Sequence, residues 1–124
     1  MKSIEELLKQ KPIYLNDWAE SKKQGIYEDF GLDRDDVIDF EGINILFASY
    51  DYRDYEGDAY IIFEYGGGLY EVDASHNSYS GLDDFNELRL NLKELKNRLE
   101  KGTFGYSVYG ENIFAEELKK FIGI

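Results

Sequence analysis

The sequence predicts an α+β domain: a central antiparallel sheet of three to five strands with N- and C-terminal helices packed against it. Ile43–Tyr50, Ala59–Tyr65 and Leu69–Val72 are short runs rich in Ile, Phe, Tyr and Val, residues that suit a pleated, half-buried surface. Asp and Gly clusters separate these runs, as strands joined by turns require. On either side, Ser3 with Glu6 and Asn91 with Glu94 set a capping residue three places before an acid, ahead of leucines at helical spacing, which marks helix starts.

In chain order, Ile4, Leu7 and Leu8 follow the Ser3 cap, and this first helix ends before Pro12, whose missing N–H cannot continue it. A second helix is expected from Asn16 or Asp17 to between Asp29 and Gly31, with Trp18, Ala19, Lys22 and Ile26 along one face. Residues 33–41 carry four aspartates and one glutamate among Val37, Ile38 and Phe40 and read as a single helical turn or a loop. From Ile43 the period becomes two, which sends Ile43, Ile45, Phe47 and Ser49 to one face and Leu46, Ala48 and Tyr50 to the other. Both sets contain apolar residues, so this strand is expected to be central and covered on both sides. Asp51–Asp58 reads as a hairpin turn in which Gly57 is free to take a positive φ. Beyond it, Ala59, Ile61, Phe63 and Tyr65 share a face opposite Tyr60 and Ile62, and Gly66–Gly68 turns the chain tightly into Leu69–Asp73.

Residues 74–84 are small and polar and are expected to form a loop. Phe85, Leu88 and Leu90 fit either a short fourth strand or a helix start. Asn91 then caps a helix with Leu92, Leu95 and Leu99 on its buried stripe, ending at Gly102. Alternation of Phe104, Tyr106 and Val108 predicts an edge strand within Thr103–Gly110. Asn112 caps the last helix, with Ile113, Phe114, Leu118, Phe121 and Ile122 inward and Lys119 and Lys120 near the negative end of its dipole.

The 124 residues correspond to a single domain, residues 1–124, that buries roughly two thirds of its unfolded surface. Without cysteine there is no disulfide and no thiolate metal site, and with no apolar N-terminal run neither a signal peptide nor a membrane span is expected. A cytoplasmic protein follows as the expectation. Acids number 26 against 14 bases, for a net charge of -12, and 16% of residues are aromatic, 11 of them tyrosine. Residues 28–87 hold 17 acids against Arg34 and Arg53 alone, a net -15, so the negative field belongs to the sheet and its turns. Phosphate contacts need a basic footprint, so direct nucleic-acid binding is disfavoured. A rigid acidic surface studded with tyrosines instead suits a basic groove built for nucleic acid, with charge supplying steering and aromatic side chains the anchors.

Chemistry-bearing patterns are few. His76, the single histidine, sits in Asp73-Ala-Ser-His-Asn-Ser78 and with Asp73 could bind a metal or shuttle protons. A tight transition-metal site ordinarily takes three or four side-chain ligands, and a lone histidine in a polar loop ordinarily just hydrogen-bonds nearby. Asp51, Asp54, Glu56 and Asp58 could hold calcium, yet their spacing departs from the EF-hand loop, and the plainer expectation is a solvated turn. Gly66–Gly68 precedes a strand rather than a helix, so it is no phosphate cradle. No Gly-x-Ser-x-Gly or His-Glu-x-x-His occurs.

Tyr52-Arg-Asp-Tyr-Glu-Gly-Asp-Ala-Tyr-Ile-Ile-Phe63, Gly68-Leu-Tyr-Glu-Val72, Ser75-His76, Gly81-Leu82 and Leu95-Lys-Asn-Arg-Leu-Glu-Lys-Gly102 together resemble a family of small proteins common in phages and other mobile elements. Its members carry a Tyr-x-x-Tyr-x-Gly-Asp-Ala strand start, a Gly-Lys-Leu-Tyr-Glu-Val strand, a Ser-His-Cys-x-Cys-Tyr-Gly-Leu loop and a Leu-x-x-Arg-Leu-x-x-Gly helix end. Asn77 and Tyr79 stand where the family has cysteines, so any thiolate role of that loop is lost and His76 alone carries over. The resemblance implies a mobile-element origin and, by association, a small inhibitor of host defence of the anti-CRISPR kind.

The expected function is therefore that of a non-enzymatic binding protein, without cofactor or metal, that blocks a basic nucleic-acid-binding host complex through Asp51, Asp54, Tyr55, Glu56 and Asp58. Two rivals stand beside it: a metal-binding module or metal-assisted enzyme centred on Asp73 and His76, and a structural accessory domain.

Overall fold

Three ten-residue strands, β2 (Asn44–Arg53), β3 (Glu56–Tyr65) and β4 (Gly68–Asn77), form the antiparallel meander at the centre of the computed structural model. The structure describes residues 1–32, 40–53, 56–77, 81–82 and 84–124, and the expectation of a turn or loop over residues 33–41 falls largely outside these. Ahead of the meander come α1 (Ile4–Lys9), β1 (Ile13–Asn16), α2 (Lys22–Asp29) and a 3-10 turn at Phe40–Gly42; after it come β5 (Gly81–Leu82), β6 (Leu88–Arg89), α3 (Leu92–Lys101) and α4 (Ala115–Ile122). Strand order is β1-β2-β3-β4-β5, and β6 shares the outer edge of β4 with β5: β5 pairs with His76 and Asn77, β6 with Tyr70 and Glu71. The α+β class and the helix-packed central sheet are as the sequence predicts. What pattern alone did not disclose is β1, which lies parallel to β2 with Ile13 opposite Phe47; a parallel pair needs a crossover, here the segment containing α2.

Both faces of the sheet are covered. One carries Phe47, Tyr60, Ile62 and Leu69 against Leu7 of α1, Leu95 and Leu99 of α3, and Leu118, Phe121 and Ile122 of α4. The other carries Ile45, Tyr50, Ile61, Phe63 and Val72 beneath Trp18, Ile26 of α2, Phe30 and Phe85. Each fully buried side chain of this size contributes roughly 1.5–3 kcal/mol, so the two layers hold the sheet from either side. The faces of β3 are as the alternation predicts. Those of β2 are not: the register slips between Ile45 and Phe47, a β-bulge that adds one residue. Ile43 and Ile45 consequently join Ala48 and Tyr50 on the α2 side, and Phe47 lies on the other.

Local signals are realised where no tertiary contact competes. Ser3 and Glu6 make the reciprocal capping box, Asn91 accepts from the Glu94 N–H, and α3 stops at Gly102. Gly66 and Gly67 adopt φ of 59° and 84° between the paired residues Tyr65 and Gly68, as a two-residue hairpin loop demands. The expected helix start at Asn16 or Asp17 is displaced to Lys22. Asn16 closes β1 with φ 58°, away from the extended backbone that an N-cap takes, and its Nδ2 donates to Ser49 Oγ at 2.8 Å, while the Asp17 carboxylate accepts the Tyr52 N–H at 2.9 Å, so neither caps a helix. Residues 74–77 extend β4 instead of forming a loop, because 74–76 pair with residues 57–59 of β3 and 77 with Gly81 of β5.

The edge strand expected within Thr103–Gly110 does not form. Gly105 and Gly110 take φ of 84° and 81°, outside the extended region, and only Tyr106 and Asn112 make a bridge. Helix α4 begins at Ala115 without a side-chain cap on Phe114. The N–H groups that lead into it converge on one carbonyl instead: Gly105 O accepts from Ile113, Phe114 and the first helical residue, Ala115, at 2.9, 3.0 and 3.2 Å. Asn112 serves the same helix from further out, its Oδ1 accepting the Glu116 N–H at 3.2 Å.

Candidate protein-binding surface

At the far end of the meander, β2 and β3 pair as Asp51–Asp58, Tyr52–Gly57 and Arg53–Glu56. The segment read as an eight-residue turn is therefore mostly strand, and Asp51, Glu56 and Asp58 are ladder residues; Asp54 and Tyr55 lie outside the described residues. Tyr52 and Arg53 prolong the ladder because each finds a partner across it, which composition alone cannot show. Gly57 has no positive φ. Its role is close approach: a Cβ there would lie 2.6 Å from Asp51 O and 3.0 Å from Tyr52 Cα. The space it leaves lets Tyr52 and His76, its neighbours on β2 and β4, meet edge to face with ring centroids 4.6 Å apart.

Alternation from Tyr50, which packs on the α2 side, places Tyr52, Gly57 and His76 on that side and Asp51, Arg53, Glu56 and Asp58 on the other. Register across to β4 adds Ser75, Asp73 and Glu71 to the acidic side, opposite Asp58, Tyr60 and Ile62. Glu56, Asp58 and Asp73 are exposed and Asp51 is half-buried. Ser75 Oγ–H donates to Asp58 Oδ1 at 3.3 Å. Arg53 reaches Asp51 at 3.2 Å and Glu111, in the loop before α4, at 3.1 Å.

Deeper on this side, Glu71 is buried and accepts two hydrogen bonds from Arg98 Nη2 at 2.8 Å and a third from the Tyr60 hydroxyl at 3.4 Å. The Arg98 guanidinium also lies over the Phe104 ring, 4.9 Å from its centroid. Burial, with Glu71 adding to it, pushes the Tyr60 phenol well above its usual range. Partial enclosure of its carboxyl by the neighbouring strands likewise raises Asp73, although the residue as a whole is exposed, an effect that Arg98 opposes and that Asp58 and Glu71 reinforce.

Asp73 and His76 are three apart on one extended strand and so point to opposite faces: Asp73 towards Arg98, His76 towards Tyr52. The two-residue metal or proton site expected from their proximity in sequence is not assembled. Among the described residues no three His, Asp or Glu side chains come together as metal ligands, and no helix is long and apolar enough to cross a membrane. Asp73 and Glu111 join the acidic set beyond the residues that the sequence predicts for it. Asp73 would have followed from extending the period-two pattern through β4; Glu111 has no sequence signal, since a folded loop brings it to Arg53.

On the α2 side an aromatic run joins Tyr52, Tyr50, Trp18, Phe30 and Phe85, and Trp18 donates its indole N–H to Asp29 at 2.7 Å. Burial, then Asp29, Asp17 and Tyr52, push the Tyr50 phenol up from 10.0 to about 12. Between those values the folded state retains a proton that the unfolded chain has released, so stability is retained below pH 10 and falls as pH climbs towards 12. Chemical-denaturation midpoints across that range are expected to fall less steeply in Tyr50→Phe than in the parent. Equal slopes would mean that Tyr50 does not contribute to the alkaline loss.

Compared with protein-family models, with curated proteins and with solved structures, the chain finds no match.

Proposed function

We propose that this is a non-catalytic binding protein whose acidic sheet end occupies the basic groove of a nucleic-acid-binding protein and competes there with nucleic acid. The reading rests on Asp51, Glu56, Asp58 and Asp73, which share one face across three neighbouring strands. Asp51 and Asp58 are directly opposed, an arrangement that destabilises a sheet by up to roughly 1 kcal/mol. Solubility alone is served equally by dispersed charges, whereas a partner groove lined with Lys and Arg would offset the repulsion on binding. Rigid strands hold these carboxylates in place before contact, which lowers the ordering cost of association. The family resemblance extends the proposal to its setting: a mobile-element protein acting in the cytoplasm on a host-defence complex of the RNA-guided kind.

Purified RNA-guided nuclease complexes and labelled target DNA provide the test. Added protein is expected to displace DNA, with an association rate that falls steeply between about 0.05 and 0.2 M salt as screening shortens the reach of the charges. Glu56→Lys with Asp58→Lys should slow association roughly tenfold or more, and Glu20→Lys with Glu28→Lys, exposed on the α2 side, should leave it near the parent value. Equal behaviour of both double variants, or no displacement from any basic complex, would refute the proposal.

A further inference from the structure

We infer that Val108 and Tyr109 form an apolar knob that inserts into a pocket on a partner protein, a pocket bordered by basic residues. The inference rests on the proposed acidic binding face and adds to it the contact that anchors the complex. Ser107 and Glu111 close a tight loop: Ser107 N–H donates to Glu111 O at 2.8 Å and Gly110 N–H to Ser107 O at 3.0 Å. Gly110 supplies the left-handed φ of 81° that a three-residue hairpin loop needs. The Ser107 hydroxyl accepts the N–H groups of Tyr109 and Glu111 at 3.2 and 3.1 Å, fastening the turn from inside. Val108 and Tyr109 therefore occupy the tip, and they are 94% and 88% exposed.

Nothing in the turn's own folding calls for two adjacent apolar residues at nearly full exposure, since the main-chain bonds and Gly110 already close it. A tyrosine held on a fixed turn suits an interface anchor, giving large area for little rotamer entropy. The surroundings decide what it docks with. Glu111 follows the tip and is tied through Arg53 to Asp51, whose cross-strand partner is Asp58, so the knob is mounted beside the acidic face. A second copy of this chain, with its net charge of -12, would bring like charge against that face. A basic rim around an apolar pocket is the complement that satisfies both features.

A photo-crosslinking phenylalanine analogue placed at position 109, or in separate preparations at 56 and 88, tests this in the cells that express the protein. Position 88 is the control, an exposed leucine on β6. Illumination is expected to give one dominant adduct from position 109, mapped by peptide sequencing to apolar residues flanked by Lys or Arg. Val108→Ser in the same chain should reduce that adduct at least fivefold, and position 88 should give none of it. An adduct from position 56 without one from 109 overturns the knob while leaving the acidic face in place. Adducts from 109 to another copy of this chain, to an acidic surface, or equally from 88 overturn it as well. Absence of adducts from both 56 and 109 overturns the knob together with the function it rests on.

Discussion

Gly105→Ala is expected to destabilise the fold by about 3 kcal/mol or more. Two independent costs meet at this residue. Its φ is 84°, where an L-residue with a Cβ is disfavoured by roughly 1–2 kcal/mol. The added Cβ would also stand 2.8 Å from the N, Cα and Cβ of Ala115. Those atoms belong to the first residue of α4, and the main chain cannot yield without loosening the three N–H groups that converge on Gly105 O. Helix α4 has no side-chain cap at Phe114, so that carbonyl has no substitute there. Gly110→Ala is the matched control: the same sign of φ, but open space around the new methyl, hence only the conformational cost of about 1–2 kcal/mol. Urea unfolding of both variants separates the two costs, and equal losses would show that contact with Ala115 contributes nothing.

Arg98→Leu is expected to cost about 3 kcal/mol, and the double variant with Glu71→Leu to recover most of that loss. Glu71 is buried and takes two hydrogen bonds from Arg98; removing the guanidinium leaves a carboxylate under α3 without its cation. About a third of the Arg98 side chain remains in contact with solvent, at 30% exposure, which puts the expectation at the lower end of the range for broken buried pairs. Two leucines in place of the pair would let α3 pack on Ile62 and Tyr60 without an uncompensated charge. A double-mutant cycle by denaturant unfolding measures the coupling. If each single variant loses under about 0.5 kcal/mol, close to what exposed pairs contribute, the pair acts as a surface contact and the packing argument fails.

Legibility from sequence followed the range of the forces involved. The capping box at Ser3, the Asn91 cap, the Gly66–Gly67 turn and the faces of β3 depend on near neighbours, and the residues alone reveal them. β1 is four residues long and is a strand only because Phe47 and its successors lie beside it, a partner remote in the chain. The bulge at Leu46 left no trace because both faces of β2 are apolar, so a slip of one residue changes no letter of the hydrophobic pattern. The acidic hairpin misled by composition: Asp, Gly and Glu favour turns locally, yet pairing with neighbouring strands overrides that preference. The same error brought Asp73 and His76 together, since residues three apart can meet in a loop but diverge on a strand. Of the expected binding residues, Asp51, Glu56 and Asp58 prove to share a face, an outcome that rests on parity no turn reading could supply.

Trp18, the single tryptophan, is wholly enclosed on the α2 side of the sheet, between Phe30 and Tyr50 and hydrogen-bonded to Asp29. Its fluorescence is therefore a one-sided gauge. Emission from Trp18, quenched or shifted as water reaches the indole, follows the loosening of α2 from the sheet, while the helix-rich layer of α1, α3 and α4 contains no indole and registers in far-UV circular dichroism. Coincident melting by the two signals would mean that the layers fail as one cooperative unit. A fluorescence change that precedes the loss of ellipticity would show the α2 layer lifting first, with the acidic strands still held against α3 and α4.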